Sequence, residues 1–95
     1  MNWIQLNIPA VYIKTREPDR IKVILPYTAG KYAGWIAWIP DKLIRISGNK
    51  TTIAMKPGYD MTIQKLDRDE RNWIIVTDEQ HITGADFINW FALLR

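Results

Sequence analysis

The sequence predicts a mainly β domain: a small antiparallel meander or partly closed barrel of about seven strands, with one C-terminal α-helix. Three observations predict it. Short apolar–polar alternations recur along most of the chain. Turn residues, chiefly Pro, Gly, Asn and Asp, separate them at fairly even spacing. Near residue 83 the apolar period changes from two to that of a helix. Short strands linked by short turns favour an antiparallel sheet over a parallel one. An oligonucleotide-binding type of barrel and an SH3-like barrel both fit. The 95 residues make a single domain, 1–95, with room for one modest core.

The first stretch, Trp3 to Thr15, is extended. Ile4, Leu6 and Ile8 alternate with Gln5 and Asn7, the pattern of a half-buried strand. Pro9 interrupts it, and Val11 and Ile13 resume it. Arg16-Glu17-Pro18-Asp19-Arg20 is a turn, with Pro early and Asp able to bond locally. Ile21, Val23 and Leu25 then alternate with Lys22 and Ile24 until Pro26. A three-residue loop, Glu17-Pro18-Asp19, sets Ile13 against Val23 and Val11 against Leu25, which keeps the apolar face coherent. The same register sets Lys14 against Lys22 and Arg16 against Arg20. Like charges directly opposite are unfavourable in a sheet. The hairpin is therefore either a receiver of anions or an edge that uses Lys and Arg to deter aggregation.

Thr28-Ala29-Gly30-Lys31 is expected to be a flexible connection. Gly30-Lys31 lacks the upstream Gly and the following Ser or Thr of a phosphate-binding loop. Trp35, Ala37 and Ile39 alternate with Ile36 and Trp38, and Pro40 ends that strand or places it at an edge. Ser47-Gly48-Asn49-Lys50 joins two β-rich runs, and Gly at the first central position suits a type II′ hairpin turn. Ser47 then opposes Lys50, Ile46 opposes Thr51, Arg45 opposes Thr52 and Ile44 opposes Ile53. Lys56-Pro57-Gly58-Tyr59 is a further turn. Tyr59, Met61 and Ile63 form another alternating strand, and Asp67 to Arg71 a charged connection. Trp73 to Thr77 is expected to be a short buried strand.

Thr83-Gly84-Ala85-Asp86 has the spacing of a capping box, with Asp in place of the usual Glu. Phe87, Trp90, Phe91 and Leu94 follow at i, i+3, i+4 and i+7, one stripe of a helix of about eleven residues. So short a helix must dock. Its expected role is to plug the open end of the barrel; the other is to offer an aromatic stripe to a partner.

Composition narrows the function. Residues 1–65 carry ten basic and four acidic side chains, residues 66–95 three basic and six acidic. A basic sheet with an acidic end suits a polyanion or an acidic protein on one face. There are five Trp, which serve as core volume or, for one or two, as exposed stacking or anchoring residues. The absence of Cys favours a cytoplasmic protein over a secreted disulfide domain. No charged-then-apolar leader pattern opens the chain and no apolar run approaches membrane-spanning length, so no membrane partner is expected. With no Cys and the single His81, neither a zinc site nor a nucleophilic triad has a motif. Asp69 and Glu70 sit among Arg neighbours on a charged turn and make no metal loop. The chain is expected to be no enzyme and to carry no cofactor and no metal.

The stretch Trp38-Ile39-Pro40-Asp41-Lys42-Leu43-Ile44 resembles a Trp-aliphatic-Pro-Lys-polar-x-Ile segment of small accessory proteins of bacteriophages and mobile elements. Asp41 departs from it, standing where those proteins usually have Lys or Arg. The resemblance implies a small protein made by a phage, prophage or plasmid in the cytoplasm of a bacterial host. It assigns no functional residues.

Two functions follow as expectations. The first is a non-enzymatic module for single-stranded nucleic acid. Lys14, Arg16, Arg20, Lys22 and Lys31 would meet phosphates, while Tyr12, Tyr32 and Trp38 would stack on bases. The alternative is a protein-binding module: a phage-encoded inhibitor of a host enzyme, such as an anti-CRISPR protein, or an assembly subunit. That reading needs Trp38 or the Phe87, Trp90 and Phe91 stripe exposed, for a host or phage protein or for a second copy in a homodimer.

Overall fold

The computed structural model describes residues 3–94. Strand β1 (Ile4–Ile8) alternates as expected, with Leu6 and Ile8 buried and Gln5 and Asn7 exposed. After Pro9 a 3-10 turn, Ala10–Tyr12, separates it from β2 (Ile13–Glu17). That break raises the strand number to eight.

Strands β2 and β3 (Arg20–Ile24) form the first hairpin. Ile13 faces Val23 as expected, but the rest of the register is corrected. The loop holds two residues, Pro18 and Asp19, so Glu17 faces Arg20, Arg16 faces Ile21 and Thr15 faces Lys22. A bulge at Lys14 absorbs the offset, and Val11 lies unpaired in the 3-10 turn. The physical reason is electrostatic. The expected register stacked two pairs of like charges, whereas the observed one replaces them with an ion pair, Arg20 Nε to Glu17 Oε2 at 3.1 Å.

Residues Tyr27–Tyr32 form two 3-10 turns kinked at Gly30, whose φ of 63° favours glycine. The expected flexible connection is thus a structured one. Ala29 is buried, and the loop's ends are tied by Leu25 N–H to Trp35 O (2.8 Å) and Gly34 N–H to Leu25 O (2.9 Å). Strand β4 (Ile36–Pro40) ends at its proline, and a 3-10 turn, Asp41–Leu43, leads to β5 (Ile44–Ser47). Strand β6 (Lys50–Met55) pairs with β5 in the expected register throughout. Of the two central turn residues only Gly48 has a positive φ, as a type II′ turn requires. Strands β7 (Asp60–Arg68) and β8 (Ile74–Thr83) form a long hairpin, and helix α1 (Gly84–Ala92) follows.

The strands form two antiparallel sheets, ordered β1-β6-β5 and β2-β3-β4-β7-β8. They do not close into a barrel. Their inner faces meet in one core: Leu6, Ile8, Ile44, Ile53 and Met55 from the smaller sheet, and Ile21, Val23, Ala37, Ile39, Met61, Ile63 and Ile82 from the larger. Helix α1 completes this core with Phe87 and Phe91 and lies against β1, β8 and the Tyr27–Tyr32 turns. It therefore covers one end of an open two-sheet packing rather than plugging a barrel. Thr28 Oγ1 also donates to the Trp90 carbonyl.

The helix starts with the expected capping box. Asp86 N–H donates to Thr83 Oγ1 (3.4 Å), and Thr83 N–H donates to Asp86 Oδ2 (3.2 Å). The helix spans nine residues, and so short a helix leans on its cap. Thr83→Ala should cost about 1 kcal/mol, read as a lower urea midpoint with an unchanged slope. An unchanged midpoint would show that packing alone holds the helix start.

Candidate nucleic-acid interface

The residues expected to bind anions do not form one surface. Arg20 and Lys22 alternate outward on β3, across from Pro40 and Trp38 on β4. Arg20 Cζ lies 3.9 Å from the Trp38 ring centroid and Lys22 Nζ 5.6 Å from it. Both are cation–π distances. Arg16 points the other way, because the two-residue loop pairs it with buried Ile21. Its Nη2 donates to Thr51 Oγ1 of β6 at 3.1 Å and links the two sheets. Lys14 sits on the bulge, exposed.

The two tyrosines are packed. Tyr12 meets Phe91 edge to face, with centroids 5.6 Å apart. Tyr32 meets Trp35 in the same manner at 4.9 Å and lies 6.0 Å from Trp90. Both are half-buried against the core. Lys31 is exposed, with Nζ 5.1 Å from the Tyr32 centroid. The aromatic stripe of α1 also turns inward. Phe87 is 0% and Phe91 5% exposed, and Trp90 is half-buried, so the stripe is not the free partner surface expected as an alternative. Trp38 is half-buried beneath its two cations.

The outer face of the three-stranded sheet carries a basic–aromatic surface. On β6, Thr51, Ile53 and Met55 point into the core, so Thr52 and Ala54 must point out. Gln5 lies opposite Ala54, and Asn7 and Arg45 lie opposite Thr52 on either side. Lys50 opposes Ser47 at the hairpin end, and Lys42 stands on the preceding turn. Trp3 precedes β1 on this face and is 54% exposed, with Lys56 Nζ 4.9 Å from its ring centroid.

Two adjoining grooves share Trp3. One, of about 180 Å³, is lined by Trp3, Lys56, Gly58 and Tyr59. The other, of about 340 Å³, is lined by Trp3, Gln5, Lys42, Leu43, Arg45 and Ala54. Among the described residues the ion pairs are Arg20–Glu17 and His81–Asp60. Lys42, Arg45, Lys50 and Lys56 therefore have no carboxylate of the described residues at ion-pair distance. The hairpin's Arg20, by contrast, already spends its charge on Glu17. Asn7 and Thr52 are linked by a 3.1 Å hydrogen bond, Thr52 Oγ1 to Asn7 Oδ1, in the middle of the face.

The signal for this face was present in the β1 alternation, since Trp3 has the parity of outward-facing Gln5 and Asn7. What was missing was the neighbour, because β1 pairs with β6 rather than with the strand that follows it.

Among the described residues no group of three or more His, Asp or Glu side chains could hold a metal ion. No described helix is long and apolar enough to cross a membrane. Comparison with protein-family models, curated proteins and solved structures finds no match to this chain.

Proposed function

We propose that this protein is a non-enzymatic module that binds single-stranded nucleic acid across the outer face of its smaller sheet. One observation carries the reading: an exposed Trp3 stands among Lys42, Arg45 and Lys56, and no carboxylate of the described residues pairs with them. Unpaired cations release counterions when they meet phosphates. An exposed indole offers a stacking face that any base can use. Gln5, Asn7 and Thr52 supply hydrogen-bonding groups between them. The Lys22 and Trp38 cluster lies on the outer face of the other sheet and is a separate, smaller basic area. In this reading the protein acts in the cytoplasm of a bacterial host as a phage or mobile-element product, as the resemblance of Trp38–Ile44 implies.

The test is fluorescence anisotropy with a labelled oligothymidylate and a duplex control, at low and near-physiological salt. Single-strand binding should weaken with salt. The double variant Lys42→Glu/Arg45→Glu should lower affinity at least tenfold and flatten the salt dependence. Trp3→Ala should cost roughly 1–3 kcal/mol of binding, the worth of one stacked base. Lys14→Glu/Lys22→Glu should have the smaller effect. If that second pair abolishes binding while the first does not, the site returns to the β2–β3 hairpin. No binding at low salt removes the nucleic-acid reading. It leaves the protein-binding alternative, such as inhibition of a host enzyme.

A further inference from the structure

The β7–β8 hairpin outruns the sheet that holds it. Strand β4 pairs with β7 only at Ile36–Gln64 and Ala37–Ile63. Beyond Lys65 the hairpin continues as a two-stranded ribbon, with β8 as the free edge of the larger sheet. The sequence marked Trp73 to Thr77 as a buried strand, and the structure corrects this. Every β8 residue before Ile82 is exposed, including Ile74 (60%), Ile75 (40%) and Val76 (47%), and Trp73 before the strand is 66% exposed. A run of four exposed apolar residues on a strand edge is a site for pairing with another chain. Edges that must stay single are usually guarded by Lys, Pro, bulges or inward charges. Trp73 to Val76 holds none of these, and the bulge at Thr77 begins only beyond it.

The ribbon is a built element. Asp69 Oδ1 accepts from Arg71 N–H (2.9 Å) and Trp73 N–H (3.0 Å). Asp69 N–H donates to Trp73 O (3.0 Å), and Arg68 Nη1 donates to Asn72 O (2.9 Å). Lys65 faces Asp78 but Leu66 faces Val76, so Thr77 is an extra, bulged residue. The bulge puts Val76 and Ile74 on the face of Leu66, and Ile75 on the other. Because the Trp73 N–H and C=O turn inward to Asp69, strand alternation turns those of Ile74 and Val76 outward, unpaired.

We infer that β8 pairs with β8 of a second copy of this chain, antiparallel, about a two-fold axis through Ile75. In that register Ile74 exchanges both backbone hydrogen bonds with Val76 of the second copy. The two Ile75 form the close, non-hydrogen-bonded pair at the axis, and Trp73 stands opposite Thr77. With Thr77 counted as the extra residue, Asn72 comes level with Glu79 of the second copy, which brings Arg71 at the turn beside that carboxylate, twice by symmetry. Moving the axis to Val76 sets Ile74 against the Asp78–Glu79 carboxylates, and moving it onto those acids sets like charge against like. Apolar matching thus selects this register over its neighbour, and charge rules out the more distant ones. A single strand pair buries less than a standard interface, so the dimer is expected in the micromolar range.

The chain contains no cysteine, so Ile75→Cys gives a single reporter at the axis. Opposed residues of a non-hydrogen-bonded pair lie about 4.5 Å apart by Cα, within disulfide reach. Mild oxidation should convert this variant largely to a covalent dimer, whereas Gln80→Cys, also exposed but off the axis, should stay monomeric. Sedimentation velocity of the unmodified chain should show concentration-dependent dimers, and Ile75→Lys should abolish them without altering the circular dichroism spectrum. Arg71→Glu should weaken the dimer at least fivefold, and Arg71→Glu/Glu79→Arg should restore it. A chain that stays monomeric into the high micromolar range overturns the proposal. So does a dimer indifferent to Ile75→Lys, or one in which Gln80→Cys cross-links as well as Ile75→Cys.

Discussion

Phe87→Ala is expected to remove about 3–5 kcal/mol of folding stability, the cost of deleting a large buried ring and leaving its cavity. Phe87 is fully buried and tilts against Phe91 at 4.9 Å between centroids. With Phe91 it carries α1 into the core shared by both sheets, and it is the more deeply buried of the two. Domains of this size are stable by only about 5–15 kcal/mol, so one such loss is a large fraction of the total. The urea midpoint should fall accordingly. The melting temperature should drop by well over 10 °C, since about 1 kcal/mol moves a domain of this length by roughly 4–8 °C. Leu93→Ala, on the same segment but 54% exposed, is the control and should change stability by no more than about 0.5 kcal/mol. If the two variants melted alike, the helix would not be anchored through Phe87.

Gly84→Val is expected to destabilise by about 3 kcal/mol or more, at the upper end of overpacking costs. Gly84 is buried at the first position of α1, and its φ makes no special demand on glycine; the constraint is space. A Cβ there would collide with the Lys56 carbonyl oxygen and press on Met55 Cγ. Backbone cannot swing aside as a side chain can. The residue is also held by Gly84 N–H to Tyr59 O (2.6 Å), with Ala85 N–H to Pro57 O (2.8 Å) beside it. Any shift that relieves the clash strains these bonds. Gly84→Ala meets the same obstacle and should lose most of the same stability. A midpoint within error of the parent would show that the Pro57–Gly58 turn yields easily.

Local signals carried much of the fold. The Gly48 turn determined the β5–β6 register, because a two-residue loop leaves one pairing that buries both Ile44 and Ile53. Thr83 and Asp86 marked the helix start from their spacing alone, and Phe87 and Phe91 marked its buried side. Failures came where two local solutions competed. The β2–β3 loop could hold two residues or three, and the choice lay with charge pairing at Glu17 and Arg20 rather than with apolar coherence. Trp73-Ile74-Ile75-Val76 has the composition of a buried strand, and composition cannot say whether a neighbouring sheet reaches that far. The basic–aromatic face was hidden for a third reason. Trp3, Lys42, Arg45 and Lys56 become neighbours only when β1 is laid beside β6, a pairing no turn announces.

That distant pairing governs the order in which the chain can be completed during synthesis. The hairpins β2–β3, β5–β6 and β7–β8 each close over a short loop as soon as their own residues emerge. Strand β1 has no partner until β6 has been made, since Ile4 faces Met55 and Ile8 faces Thr51. At about 5–20 residues per second the wait is on the order of seconds, far longer than a hairpin needs to form. Throughout it Leu6 and Ile8 remain uncovered on a strand with both edges open. The alternation of Gln5 and Asn7 with these residues, and Pro9 just beyond them, keeps the waiting segment short and half polar. Strand β1 thus finds its place only after four later strands have been made and its partner β6 has emerged, and its sequence is suited to the delay.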